Sequence, residues 1–182
     1  MAIYRGFNPP RQMAGLYVKG MIVLGRKPDV VSTFTVKATG FGEGPASLSD
    51  EAGKVLFTGF RSWNLVTFAT NSDNTVTATC RSYDVYMSAA AGVTMSADIM
   101  SIPDGTDVCV FTYDEPYTNK ASVIDALLTL GASRPPLNAI PFWGSYILIG
   151  RKGMSAGQGK EFQVNTGGVT ARIEFINGVI QP

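Results

Sequence analysis

Gly153-Met154-Ser155-Ala156-Gly157 has the spacing of a nucleophile elbow, in which a sharp strand-to-helix turn presents a serine to a neighbouring base. The chain has no histidine, so the usual base for that serine is missing, as is the commonest metal ligand. A glycine loop and a strand follow rather than a helix, and the segment reads as a mobile hairpin loop. Its continuation, Gly157-Gln158-Gly159-Lys160, would need glycine where Met154 stands and Ser or Thr where Glu161 stands to cradle a phosphate. Gly40-Phe41-Gly42-Glu43-Gly44 follows a strand with no helix behind it to hold a pyrophosphate, which makes it a connecting turn. Asp114-Glu115 could supply a glycosidase's acid and base, but neighbours on extended chain point to opposite faces, and Pro116 marks a turn into a helix. Asp104 and Asp107 flank Gly105 without the further oxygen ligands of a calcium site. Cys80 and Cys109 form no Cys-x-x-Cys; they read as two buried strand thiols, with a single bridge as the alternative. The expectation is a chain that is not an enzyme and uses no metal or cofactor.

Recognition then falls to aromatic residues. Of Trp63, Tyr83, Tyr86, Tyr113, Tyr117, Phe142, Trp143 and Tyr146, most should be core. Phe142-Trp143-Gly144-Ser145 occupies a proline-bounded loop, where an exposed ring could stack on a sugar or anchor a protein. Trp63, Phe142 and Trp143 are therefore the candidates for glycan or partner contact.

The elements that must position these residues are read from composition and periodicity. With 45% hydrophobic and 16% charged residues, 182 residues can bury a sizeable core, and Gly 20 with Pro 10 implies many turns and more strand than helix. A net charge of +1 gives no uniform field for nucleic acid or an anionic membrane, so neither is expected as a partner. No run of 18 apolar residues occurs, and Met1 to Arg11 has no long apolar stretch behind a basic start, so a soluble product made in the cytoplasm without a signal peptide is expected.

Residues 1–28 carry Pro9, Pro10 and Pro28, five basic residues and one short apolar stretch, Met21 to Leu24. They read as an extended arm with a strand or two, docking on a neighbouring subunit through Tyr4, Phe7, Leu16 and Tyr17; residues 29–182 read as the body. Alternation marks a strand from Val30 to Ala38, and β-branched and aromatic enrichment marks Val55 to Phe57, Trp63 to Ala69 and Thr75 to Tyr86. Asp107 to Tyr113 and Tyr146 to Ile149 read as buried strands, and Phe162 to Val164 and Thr170 to Phe175 are the last strand candidates. Asn71 to Asn74 turns the third into the fourth as a hairpin. Val93, Ala97 and Met100 predict a helix over about 89–101, and Val123, Ile124, Leu127 and Leu128 a second over about 119–130, with Thr118 or Asn119 as cap and Gly131 as terminator. Pro135, Pro136 and Pro141 read as a chain break.

The order of several pieces carries a family resemblance. These are Arg61-Ser62-Trp63-Asn64, Tyr83-Asp84-Val85-Tyr86, Ile102-Pro103-Asp104-Gly105-Thr106, the strand ending Asp114-Glu115, the helix ending Leu130-Gly131-Ala132-Ser133, and Tyr146 through Gly153. Together, over roughly Val30 to Val179, they resemble the interleukin-like EMT inducer domain, also called PANDER-like or GG. The resemblance implies an α+β fold with a β-sandwich-like body of antiparallel sheets and a few helices. Animal members are secreted cytokine-like proteins or sugar-binding modules on glycan-processing enzymes, and related domains occur in phage virion proteins. This chain departs from many members in having Ser62 where they have glycine, and Trp143-Gly144-Ser145-Tyr146 where they have Arg-Asp-Ser-Trp. The expectation is a phage virion structural protein in the tail, baseplate, fibre attachment, collar or head decoration. Its partners would be other virion proteins and copies of itself. The alternative is a module that binds surface glycan at the host-facing part of the virion.

Overall fold

A computed structural model describes the backbone of residues 15–18 and 21–24 and the whole of residues 27–181. Strands β1 (Gly15–Val18) and β2 (Met21–Leu24) pair antiparallel, Gly15 opposite Leu24, as a two-stranded sheet of their own. The other strands form one hydrogen-bonded network that folds into two five-stranded layers. One runs β7 (Val76–Tyr83), β6 (Ser62–Thr70), β8 (Asp107–Asp114), β9 (Ser145–Arg151), β10 (Lys160–Val164). The other runs β5 (Val55–Thr58), β4 (Ser47–Asp50), β3 (Val31–Gly40), β11 (Gly168–Ile176), β12 (Val179–Ile180). Every pairing between these strands is antiparallel except the seam joining the layers, where Thr39 and Gly40 pair parallel with Tyr113 and Asp114. The chain is thus α+β with a β-sandwich-like body, and its sheet is mixed.

Alternation along the central strands builds two cores. Val66, Phe68, Cys109, Phe111 and Ile147 face Phe34, Val36, Leu48, Ile173 and Phe175 of the second layer. There Phe34, Phe68 and Phe175 meet in tilted and edge-to-face contacts with centroids 5.1 to 6.1 Å apart, and each buried phenylalanine stabilises by about 1.5–3 kcal/mol. The intervening residues Trp63, Leu65, Val108, Val110, Tyr146 and Leu148 point the other way, onto the helices.

Helix α1 (Ala89–Ser101) has the expected span and is capped by Ser88, whose Oγ accepts from the Ala90 amide. Its buried face is Gly92, Met95 and Ile99, whereas Val93 and Met100 are exposed. Gly92 sets the face: a Cβ there would lie 1.8 Å from Ser122 Oγ on the next helix. Helix α2 (Ala121–Leu128) buries Val123, Ile124 and Leu127 as its stripe requires, and Gly131 ends the turn at φ 97°. Neither Thr118 nor Asn119 caps it through its side chain. Instead, Glu115 accepts from the Tyr117 and Thr118 amides, and Asn119 Nδ2 donates to the Val85 carbonyl at 3.0 Å. The proline segment holds a third helix, α3 (Arg134–Ala139), because prolines in a first turn sacrifice no intrahelical bond. No helix among the described residues is long and apolar enough to cross a membrane.

Candidate functional site

Five loops leave the sandwich at one end. Tyr113 at the end of β8 pairs with Thr39 and Ser62, Trp63 pairs with Tyr83, and the Tyr146 amide donates to Thr112 Oγ1 at 2.9 Å. The end of β3, the start of β6, the end of β7, the end of β8 and the start of β9 therefore meet there. Their loops expose Phe41, Phe60, Tyr86, Met87, Tyr117, Phe142 and Trp143, each more than a third accessible. Phe41 stacks on Trp143 with centroids 5.8 Å apart, and Tyr117 lies against Phe142 at 4.4 Å. Lys120 Nζ sits 4.7 Å from the centre of the Tyr117 ring and donates to the carbonyls of Asn138 and Ile140 at 2.8 and 2.7 Å, closing α3. Burial pulls the Lys120 ammonium below its ordinary value, against the opposing attraction of Glu115.

The backbone holds these rings out. Trp143 has φ 59°, and its carbonyl lies where a Cβ on Gly40 would be, 2.0 Å away, so only glycine at the end of β3 admits the loop. On the other flank Arg61 grips Asp84 through two nitrogens, at 3.0 and 2.6 Å, and lies 4.7 Å over the Tyr86 ring. Asn64 closes the turn before β6: its amide exchanges hydrogen bonds with the backbone of Phe60 and accepts from Ser82 Oγ at 2.6 Å. Arg61-Ser62-Trp63-Asn64 and Tyr83-Asp84-Val85-Tyr86 are thus one interlocked unit. What this end can do chemically is stack on flat apolar faces.

Of the sequence candidates, Phe142 and Trp143 are brought together here, half-exposed. Trp63 is not: its ring is 1% exposed, packs edge-on against Tyr146 at 6.0 Å and donates to the Pro116 carbonyl at 3.2 Å, so it is core and not a contact residue. Tyr4 and Phe7 lie outside the described residues, and Leu16 and Tyr17 fall on β1. Sequence reasoning left Phe41 and Phe60 out; the usable signal was a large aromatic in a glycine loop, Gly40-Phe41-Gly42 and Gly59-Phe60.

The other motifs resolve as structure. Ser155 is exposed and its hydroxyl makes no hydrogen bond among the described residues. Its loop is stitched down rather than loose: Gly153, Gly157 and Gly159 donate to the carbonyls of Thr129 and Gly131 after α2. Asp104 pairs with Lys152 and Asp107 with Arg151. Among the described residues no three His, Cys, Asp or Glu cluster as metal ligands would. Cys80 and Cys109 both sit opposite Val66, on either side of β6. Two strand spacings, about 9.5 Å, separate them, too far for a bridge, and both are free thiols. Burial pushes the Cys80 thiol up to about 11 and Cys109 higher still.

Residues 61–154, just over half of the chain, match the family model described as Interleukin-like EMT inducer. The match runs from the Arg61 lock through α1, α2 and α3 to the loop after β9. No curated protein matches the chain. The chain belongs to the interleukin-like EMT inducer family.

Proposed function

We propose that this family member is a non-enzymatic structural protein of a phage virion, a tail, baseplate, fibre-attachment or collar component or a head decoration. It holds its shape as a rigid spacer and docks on neighbouring subunits, copies of itself included, through residues 1–28. The observation that carries this reading is the ribbon of β1 and β2, whose strands, among the described residues, pair with each other and with no strand of the body. A lone two-stranded ribbon is marginal in water. Met21-Ile22-Val23-Leu24 is also apolar at four successive positions, so both faces of the strand gain from being covered. The virion setting is supported by the occurrence of related domains in phage virion proteins. Deleting residues 1–28 tests the role: the shortened chain should keep a folded body and fail to enter the particle, and normal incorporation refutes docking.

A second reading is favoured by the exposed ring pairs Phe41–Trp143 and Tyr117–Phe142. Flat apolar rings with hydrogen-bonding neighbours suit a sugar face, which makes this end the contact of a glycan-binding module on the host-facing part of the virion. Trp143→Ala should leave the fold intact, because the ring is half-exposed. On a glycan array the variant should lose whatever binding the parent shows; equal binding removes this reading.

A further inference from the structure

We infer that the arm's acceptor is the open side of the sandwich between β5 and β7 on a second copy of this chain, an inference that rests on the docking reading above. Charge is the first argument. Residues 1–28 hold Arg5, Arg11, Lys19, Arg26 and Lys27 and no carboxylate, a charge of +5. The whole chain carries +1, so residues 29–182 carry −4, ten cations against fourteen carboxylates. The molecule is a basic arm on an acidic body.

The sandwich has two open sides, and charge chooses between them. The side between β9–β10 and β11–β12, a cleft of about 610 Å³, is lined by Arg151 and Arg172, paired with Asp107 and Glu174, and by Lys160, so its uncompensated charge is positive and offers a basic segment no attraction. The side between β5 and β7 is a cleft of about 660 Å³ with Phe34, Leu56, Val76 and Ala78 in its walls and Asp50 and Glu51 on its rim. No cation lines it. Asp50 Oδ1 accepts from the Lys54 amide, and neither carboxylate is in an ion pair among the described residues.

Backbone geometry makes the second argument. Among the described residues β5 pairs with β4 alone and β7 with β6 alone, so each presents an unpaired row of amides and carbonyls beside the cleft. β2 and β5 are each four residues long, about 13 Å, which suits addition of one strand to the other's free edge, with apolar side chains entering the cleft. The body also begins beside this cleft: Ser32 and Val76 both line it, and Ser32 Oγ accepts from the Val76 amide at 3.1 Å. Within the chain β1 and β2 bond to neither β5 nor β7, so among the described residues both edges are open to another copy.

The test uses the full chain with a benzophenone amino acid in place of Leu56, prepared as an equal mixture of isotopically heavy and light copies. After irradiation, mass spectrometry should find heavy–light cross-links from position 56 to residues 15–24. Asp50→Lys with Glu51→Lys should cut their yield severalfold, and Lys19→Glu with Arg26→Glu on the same chain should restore it, a rescue that a folding defect would not allow. Cross-links within single copies only, cross-links to other segments, or none, would each overturn the inference. If they fail while the chain lacking residues 1–28 is still excluded from particles, the arm docks on a different protein and the functional reading stands. If that shortened chain enters particles normally, the docking reading falls on its own test.

Discussion

Ser62 occupies a position that its backbone assigns to glycine. Its φ is 78°, its side chain is fully buried, and its Oγ is the one buried side-chain polar atom among the described residues without a hydrogen-bond partner. Left-handed backbone costs a non-glycine residue about 1 kcal/mol, and an orphaned buried hydroxyl about 1–3 kcal/mol. Ser62→Gly should therefore stabilise by about 1–2 kcal/mol in urea denaturation, after the entropy lost by glycine is set against the gain. A destabilised variant would mean that the hydroxyl has a partner. Asp114 also has positive φ, 65°, and burial raises its carboxyl above the ordinary 3.8, Asp84 adding to the rise and Arg61 opposing it. Because the folded value is the higher one, protonation favours the fold: that stability is fully present below 3.8 and is lost as pH rises through the raised value. Asp114→Asn, which tolerates the same backbone, should thus melt higher than the parent at neutral pH and equally below 3.8. At this scale the sequence was legible in type and not in direction. Trp63 stood out as an aromatic, but only its register opposite Tyr83 and Thr112 shows that it faces the helices.

Elements were more legible where one local pattern decides them. The alternation in β3, the β-branched and aromatic content of β6, the apolar runs of β8 and β9 and the Ser88 start of α1 are visible in the residues themselves, because a strand's composition or a cap acts within a few positions. The buried face of α1 was not. Val93 and Met100 give an apolar spacing, yet Gly92 is where the neighbouring helix comes close, and a glycine adds nothing to a hydrophobic stripe. The prolines of α3 were read as breakers because the same residues end a helix interior and begin a first turn. Contact between elements yields a prediction at this scale. Gly40→Ala would place a Cβ 2.0 Å from the Trp143 carbonyl, forcing apart β3 and the loop before β9. It should lower stability by about 1–3 kcal/mol in urea and shift Trp143 fluorescence, since that loop carries the Phe41–Trp143 stack. Unchanged emission and stability would show that the loop does not depend on this close approach.

For the whole molecule, periodicity permitted a sandwich and family resemblance supplied it. Nothing local reveals the parallel seam between Thr39–Gly40 and Tyr113–Asp114, because its strands are more than seventy residues apart in sequence. The result is a body with helices over one sheet, aromatic loops at one end, and two open sides of opposite charge character. Against this body stands an arm whose two described strands pair, among the described residues, only with each other. The reading that the protein works by gripping neighbours turns on what covers that ribbon. Amide hydrogen exchange of Gly15–Val18 and Met21–Leu24 measures this directly, with the dilute chain and the assembled particle compared under the same conditions. The account predicts rapid exchange at these amides in the dilute chain and strong protection in the particle. Equal protection in the dilute, monomeric chain would mean that the ribbon is secured by its own body, and would contradict the account.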